Sequence, residues 1–267
     1  LTRFQGSPSI HSVYVDDTDL LWVGTSKSGV YYWGENIYKF DAKFIGDITA
    51  MAEGENGEIF YATSDNGILD HNFKLASLKT TALATTKDGS LWVGSKQNGL
   101  TRIKNGESRV FSTVGVSIKR TLIDDHVNAL CTDKSGNLWI ATDGGLQMFN
   151  TRMETFSNYT KENRKLKVNN VTSLFYSKEN QMLIGTSEGL TIMNISTSET
   201  KHYLGNSAGV KKFTNNYITY VFQDSRGLIW VGTREGINVL NREIDDLNIL
   251  TEKQVLCNNN VCGIVED

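Results

Sequence analysis

The chain has 267 residues, of which 39% are hydrophobic and 21% charged, and 27 Lys and Arg against 30 Asp and Glu leave a net charge of −3. That is enough apolar sequence for one large core, without the roughly eighteen consecutive apolar residues of a membrane helix or the basic excess that marks a nucleic-acid partner. With 24 glycines and a single proline, Pro8, the turns fall to Gly, Asn and Asp, and no window of a dozen residues sustains helical spacing.

The predicted elements are strands, and they come in a fixed order. A first strand begins at Ile10, a turn at Asp19 leads to a second in "LWVGT" from Leu21, and Gly29 opens a third. The order returns with Ile48, Gly57, "IFYAT" and Gly67, then with Thr80, Gly89, "LWVGS" and Gly99. It continues with Val127, Gly136, "LWIAT" and Gly145, with Val171, Asn180, "MLIGT" and Gly189, and with Ile218, Gly227, "IWVGT" and Gly236. The second-strand anchors Trp22, Phe60, Trp92, Trp139, Leu183 and Trp230 are 38, 32, 47, 44 and 47 residues apart, and each follows its first-strand anchor by twelve residues without a gap. Variable segments, with weak strands such as "YKF" and "KKF" near their ends, supply a fourth strand to each unit.

Four antiparallel strands in a repeat of this length define an all-β fold, the β-propeller, in which each blade packs on its neighbours around an axis. Burial on both faces accounts for the nearly continuous apolar runs of the first two strands. Residues 1–267 read as a single propeller domain of six full repeats and a partial seventh from Asn258, where Val261 stands in the position of Val127 and Asp267 in that of Asp133. "LTRF" at the start resembles the closing strand of an earlier blade. The expectation is seven blades, the last incomplete or composite, in a fragment of a longer protein.

An apolar first strand, Asp, a turn Gly, "LWIAT" or "IWVGT" and then "GL" or "GI" resembles the two-component regulator propeller repeat. Copies one, three, four and six carry the resemblance, while Phe60 and Leu183 replace Trp in copies two and five. The resemblance implies a periplasmic sensor region of a hybrid two-component system, of the kind by which gut Bacteroidetes sense polysaccharide fragments. It also implies further propeller repeats, a linker domain, a membrane helix and a histidine kinase in the parent, with homodimerisation through that parent.

Other chemistry has little support. Gly185 to Gly189 spells the nucleophile elbow G-x-S-x-G, but that motif requires a strand-to-helix turn, and here it occupies a strand-to-strand turn present in every copy. His11, His71, His126 and His202 lack ligand spacing, so no metal and no cofactor is expected. Cys131 falls in a first strand, and Cys257 and Cys262 permit at most one bridge. The Trp anchors read as core residues, and Trp33 in "YYWGENIY" lies outside the core register, placed either to bind a ligand or to plug a blade edge.

The residues just before each first-strand anchor ring one mouth of the central channel: Gly46 and Asp47, Asp125 and His126, Asn169 and Asn170, Asn216 and Tyr217, Asn259 and Asn260. Such residues suit hydrogen bonding to a polyhydroxylated ligand, with Tyr217 stacking on a sugar face, although Asn and Asp also serve as plain turn residues. Asp125, His126, Asn169, Asn170, Asn216, Tyr217, Asn259 and Asn260 are therefore the candidate ligand-binding set. The expected function is a non-catalytic sensor that holds a small carbohydrate. The alternatives are a propeller lyase, with His126 and Asp125 as its starting pair, and a purely architectural propeller.

Overall fold

A computed structural model describes residues 9–26, 28–33, 37–40, 47–64, 67–70, 73–76, 79–114, 121–203, 213–242, 246–254, 256 and 258–266. Blade one comprises β1 (Ile10–Val15), β2 (Leu21–Thr25), β3 (Val30–Trp33) and β4 (Ile37–Phe40), and blade two comprises β5 (Ile48–Glu53), β6 (Ile59–Thr63), β7 (Gly67–Asp70) and β8 (Phe73–Ala76). Blade three has β9 (Thr80–Thr86), β10 (Ser90–Ser95), β11 (Leu100–Lys104) and β12 (Glu107–Phe111), and blade four β13 (Val127–Thr132), β14 (Leu138–Thr142), β15 (Gly145–Asn150) and β16 (Thr155–Tyr159). Blade five has β17 (Val171–Tyr176), β18 (Gln181–Thr186), β19 (Gly189–Asn194) and β20 (Thr200–Tyr203), and blade six β21 (Ile218–Gln223), β22 (Ile229–Thr233), β23 (Gly236–Asn241) and β24 (Asp246–Leu250). Each sheet is an antiparallel meander in chain order, so the molecule is a β-propeller of four-stranded blades.

Three local devices repeat. The Thr or Ser that ends each second strand donates its hydroxyl to the carbonyl of the glycine opening the third, as Thr142 Oγ1 does to Gly145 O at 2.8 Å and Ser95 Oγ to Gly99 O at 3.2 Å. The first two strands of every blade share a bulge just after the anchor, between Val127 and Ala129 in blade four and between Val171 and Ser173 in blade five. In blades three, four and five the bulged residue turns its side chain to the next blade. Thr81 Oγ1 donates to Val127 O at 2.5 Å, Asn128 Nδ2 to Val171 O at 2.9 Å, and Thr172 Oγ1 to Ile218 O at 2.6 Å. Finally, the small residue of each second strand lets the next anchor approach: a Cβ on Gly94 would lie 2.5 Å from Val127 Cγ1, too close for any side chain there.

The second-strand anchors fill the seams between blades. Trp92 and Trp139 are 0% and 1% exposed; Trp92 packs with Val127, Leu138 and Phe149, and Trp139 with Val171 and Met182. Leu183 does the same against Ile218 and Ile229. Trp230 departs from the expected full burial and is only half-buried, because what covers it is a single segment that includes Val261 and Ile264 and not a whole sheet.

That segment corrects the expected blade count. Among the described residues there are six four-stranded sheets and no seventh, and residues 258–266 form no strand, since a ladder needs neighbouring strands to pair with. Val261 nevertheless takes the place expected of a seventh anchor. Thr219 Oγ1 donates to Val261 O at 2.6 Å, and a Cβ on Gly232 would lie 2.8 Å from Val261 Cγ1, both as in the blade-to-blade contacts above. Two residues on, a Cβ on Gly263 would lie 2.7 Å from Val13 Cγ2 in β1, so this one segment spans from blade six to blade one. "LTRF", Gly46, Cys257 and Asp267 lie outside the described residues.

Candidate functional site

In an up-and-down blade, the start of the first strand and the turn between the second and third strands share one end of the sheet. Register makes the pairing definite. Val127 faces Thr142, Val171 faces Thr186 and Ile218 faces Thr233, so His126 stands beside Asp143, Asn170 beside Ser187 and Tyr217 beside Arg234. These residues stand at the same end of their blades and make up its polar rim.

Between blades four and five the rim is a closed network centred on Asp143. His126 Nδ1 lies 2.9 Å from Asp143 Oδ2, and Asn128 Nδ2 and Asn170 Nδ2 donate to Asp143 Oδ1 at 2.8 and 2.6 Å. Asn170 Oδ1 is buried without a hydrogen-bond partner, an acceptor held against the cost of desolvation, about 1–3 kcal/mol. In blade six the Arg234 guanidinium sits 3.9 Å from the centre of the Tyr217 ring, which covers one face of that ring. Asn216 is half-buried next to it.

The other expected site residues brace the loops that lead into the rim. Asp125 accepts from Thr113 N at 2.7 Å and Thr113 Oγ1 at 2.8 Å. Asn169 accepts from Lys161 N at 2.7 Å and donates to Glu162; Asn259 accepts from Glu252 N at 2.8 Å. Asn260 is exposed, and its backbone N–H donates to Asn258 Oδ1 at 2.7 Å. Asp47 accepts from Ser26 Oγ of blade one at 2.8 Å. The structure thus brings His126 and Asn170 together on Asp143, sets Tyr217 against Arg234 at the same end of blade six, and gives Asp125, Asn169 and Asn259 clamping roles. Sequence reasoning passed over Asp143 and Arg234, and it paired His126 with Asp125, whereas the acid beside the imidazole is Asp143. Counting fifteen residues from each first-strand anchor to its facing residue on the second strand, and one residue further, would have found both.

Ser187 of the apparent nucleophile elbow lies in the turn between β18 and β19, where its amide donates to Asn170 O at 3.1 Å. Burial pushes the Cys131 thiol up to about 12, which keeps it neutral and a poor nucleophile. Trp33, at the end of β3, is half-buried and paired with Ile37 of β4. Among the described residues no three His, Cys, Asp or Glu side chains come together as a metal site, and no helix is long and apolar enough to cross a membrane.

Comparison with known proteins agrees with this architecture. Residues 121–144 and 212–235, two stretches in blades four and six, match the two component regulator propeller family. No curated protein matches the chain. Among solved structures, the extracellular domain of BT4673 from B. thetaiotaomicron superposes with a TM-score of 0.78 at 19% identity, covering 99% of this chain and 37% of that one. Two structures of that protein assign it as a one component system and as a hybrid two component system respectively. PorZ, a surface component of the type-IX secretion system of Porphyromonas gingivalis, gives 0.72 at 14% identity over 98% of this chain and 45% of its own. Virginiamycin B lyase from Staphylococcus aureus gives 0.73 at 8% identity over 97% and 88%. The chain therefore spans little more than a third of the BT4673 structures. At these identities the likeness is one of fold.

Proposed function

We propose that this chain is an extracytoplasmic, non-catalytic propeller of a two-component sensor, and that it holds a short carbohydrate at the channel mouth lined by His126, Asn170, Asn216 and Tyr217. The observation that carries the reading is the rim itself. Residues of different blades converge there, with a buried acceptor, Asn170 Oδ1, that lacks a partner and an aromatic ring fixed under Arg234. A polyhydroxylated ligand supplies the donors that such an acceptor lacks, and a sugar face stacks on an aromatic ring. The family repeats and the fold shared with an extracellular sensor domain support the setting. In this reading the parent places the propeller in the periplasm, adds further propeller and linker domains, dimerises, and completes a seventh blade around the Val261 segment.

The test is calorimetry against a panel of oligosaccharides. Replacing Asn216 and Tyr217 together with Ala is expected to weaken binding more than about tenfold, or about 1.4 kcal/mol, with the melting temperature nearly unchanged. Unaltered affinity in the double variant overturns the assignment of this mouth.

A second reading rests on the pair of His126 and Asp143 at 2.9 Å. An imidazole oriented by a carboxylate is the arrangement of a general base, and a virginiamycin B lyase of similar fold is described as catalytically inactive when a histidine is replaced by alanine. Incubation with a streptogramin B substrate distinguishes the readings: turnover that disappears in His126→Ala establishes the lyase, and its absence leaves the sensor.

A further inference from the structure

Blade three breaks the repeat at the rim. In blade four the two rim positions hold His126 and Asp143, which pair, and in blade six they hold Tyr217 and Arg234, which stack. Ser95 faces Thr80 in blade three, so the corresponding positions are Lys79 and Lys96, both exposed. Two ammonium groups occupy the places where other blades set complementary partners.

The core behind the lysines departs from the pattern as well. Every other first-strand anchor is Ile or Val, and every other second strand of the six ends in Thr, whereas blade three has Thr80 and Ser95. Both are buried, at 4% and 3% exposure. Thr for a β-branched aliphatic trades a methyl for a hydroxyl at nearly constant volume, and Ser for Thr removes a methyl. These changes make the wall here more polar and wider, and a cavity of about 430 Å³ opens in front of it, lined by Lys79, Lys96, Thr49, Ser64, Thr81 and Asn98 among others. No carboxylate lines it among the described residues. In the equivalent place between blades four and five, Asn128 and Asn170 both donate to Asp143.

We infer that the cavity between blades two and three is an anion subsite, and that the saccharide ligand is acidic, with a uronate carboxylate or a sulfate ester between Lys79 and Lys96. Lys ammonium groups bind such oxyanions as point charges, and the hydroxyl oxygens of Thr49 and Thr81, which already donate to Ala62 O and Val127 O, keep lone pairs that accept from neighbouring sugar hydroxyls. The inference rests on the carbohydrate reading of this face and narrows it to one chemical class.

Calorimetry of the full chain with trigalacturonic acid, its uncharged trimethyl ester and a chondroitin sulfate disaccharide separates the two ideas. The expected result is binding of one or both acidic sugars, weakening with added salt, with trigalacturonate binding lost on esterification. Lys79→Ala with Lys96→Ala should weaken that binding by about tenfold or more and leave the melting temperature unchanged, while Lys79→Arg with Lys96→Arg retains it. Sodium sulfate titrated alone tests whether the free anion suffices, and its competition with the sugar also supports the subsite. Equal binding of acid and ester, or full affinity in the double Ala variant, overturns the anion subsite and leaves the carbohydrate reading standing. Failure of all these sugars to bind overturns the acidic-ligand inference, and if neutral oligosaccharides also fail, the carbohydrate reading falls with it.

Discussion

In blade four Trp139 donates through Nε1 to Asp133 Oδ2 at 2.9 Å, whereas in blade five Leu183 stands at the same register and Ser177 replaces the acid. The two sheets otherwise match, strand for strand and bulge for bulge. Trp22 with Asp16 and Trp230 with Asp224 repeat the first solution. Phe60 with Gly54 follows the second, since neither has a polar group to satisfy. Trp92 takes a middle course and donates to Thr86 Oγ1 at 2.9 Å. The acid is therefore part of how a buried indole is accommodated, not a free functional group: a large ring fills the seam between blades, its N–H needs an acceptor, and the same carboxylate ties down the turn that precedes the strand.

The strongest way to test this contrast is to remove the ring. Trp139→Ala empties a fully buried site between blades four and five and is expected to lower stability by about 3–5 kcal/mol, measured by urea unfolding. Trp230→Ala, whose ring is covered only by the Val261 segment, should lose distinctly less. Equal losses would mean that the seam beyond blade six is as well packed as the others.

A smaller effect is expected from the acids. Asp133 accepts from Ser135 N, Asn137 N, Asn137 Nδ2 and Trp139 Nε1; Asp133→Ala strands these donors and should lower stability by about 2–3 kcal/mol. Ser177 accepts one long bond, from Gln181 N at 3.3 Å, so Ser177→Ala should lower it by about 1 kcal/mol or less. Similar losses in the two variants would break the link between acid and indole.

The repeating core was legible because it is periodic: anchors twelve residues apart, with Gly or Ala where the next blade approaches, can only be equivalent places in equivalent sheets. What escaped was set by geometry that no single copy displays. The bulge after each anchor leaves Thr81, Asn128 and Thr172 out of the ladder and sends their side chains to the next blade, yet in sequence they look like ordinary strand residues. The strand starts that carry the candidate residues were legible, and their partners less so. His126 stands at the start of its first strand as expected, but its acid was sought next door in the chain at Asp125, which the fold spends on Thr113, and not across the sheet at Asp143. The half-burial of Trp230 depends on how the ring continues past blade six, which the identity of the residue does not encode.

The smallest effect near neutral pH should become visible only in acid. Burial alone would raise the pKa of Asp16, but hydrogen bonds from the Trp22 indole, Thr18 and the Leu20 amide outweigh it and hold the carboxyl below the usual carboxylate range. Burial likewise opposes, and Trp230, Arg226 and the Leu228 amide overcome it, at Asp224, which also stays low. A folded-state pKa below the unfolded value of about 3.9 means that unfolding takes up protons, so this stabilisation is complete above that value and is lost as pH falls through the folded pKa. Blade five, with Ser177, contributes nothing of the kind at this position. Urea midpoints measured downward from pH 5 should thus fall steeply below about pH 4 in the native sequence. The Asp16→Asn, Asp224→Asn variant should start lower and fall less, because an amide keeps part of the hydrogen bonding and does not titrate. Parallel curves would show that these two acids do not titrate differently in the folded and unfolded chains, and that the acid sensitivity comes from other groups such as Asp88, whose carboxyl is also held low against burial by Thr86, Lys104 and Ser90.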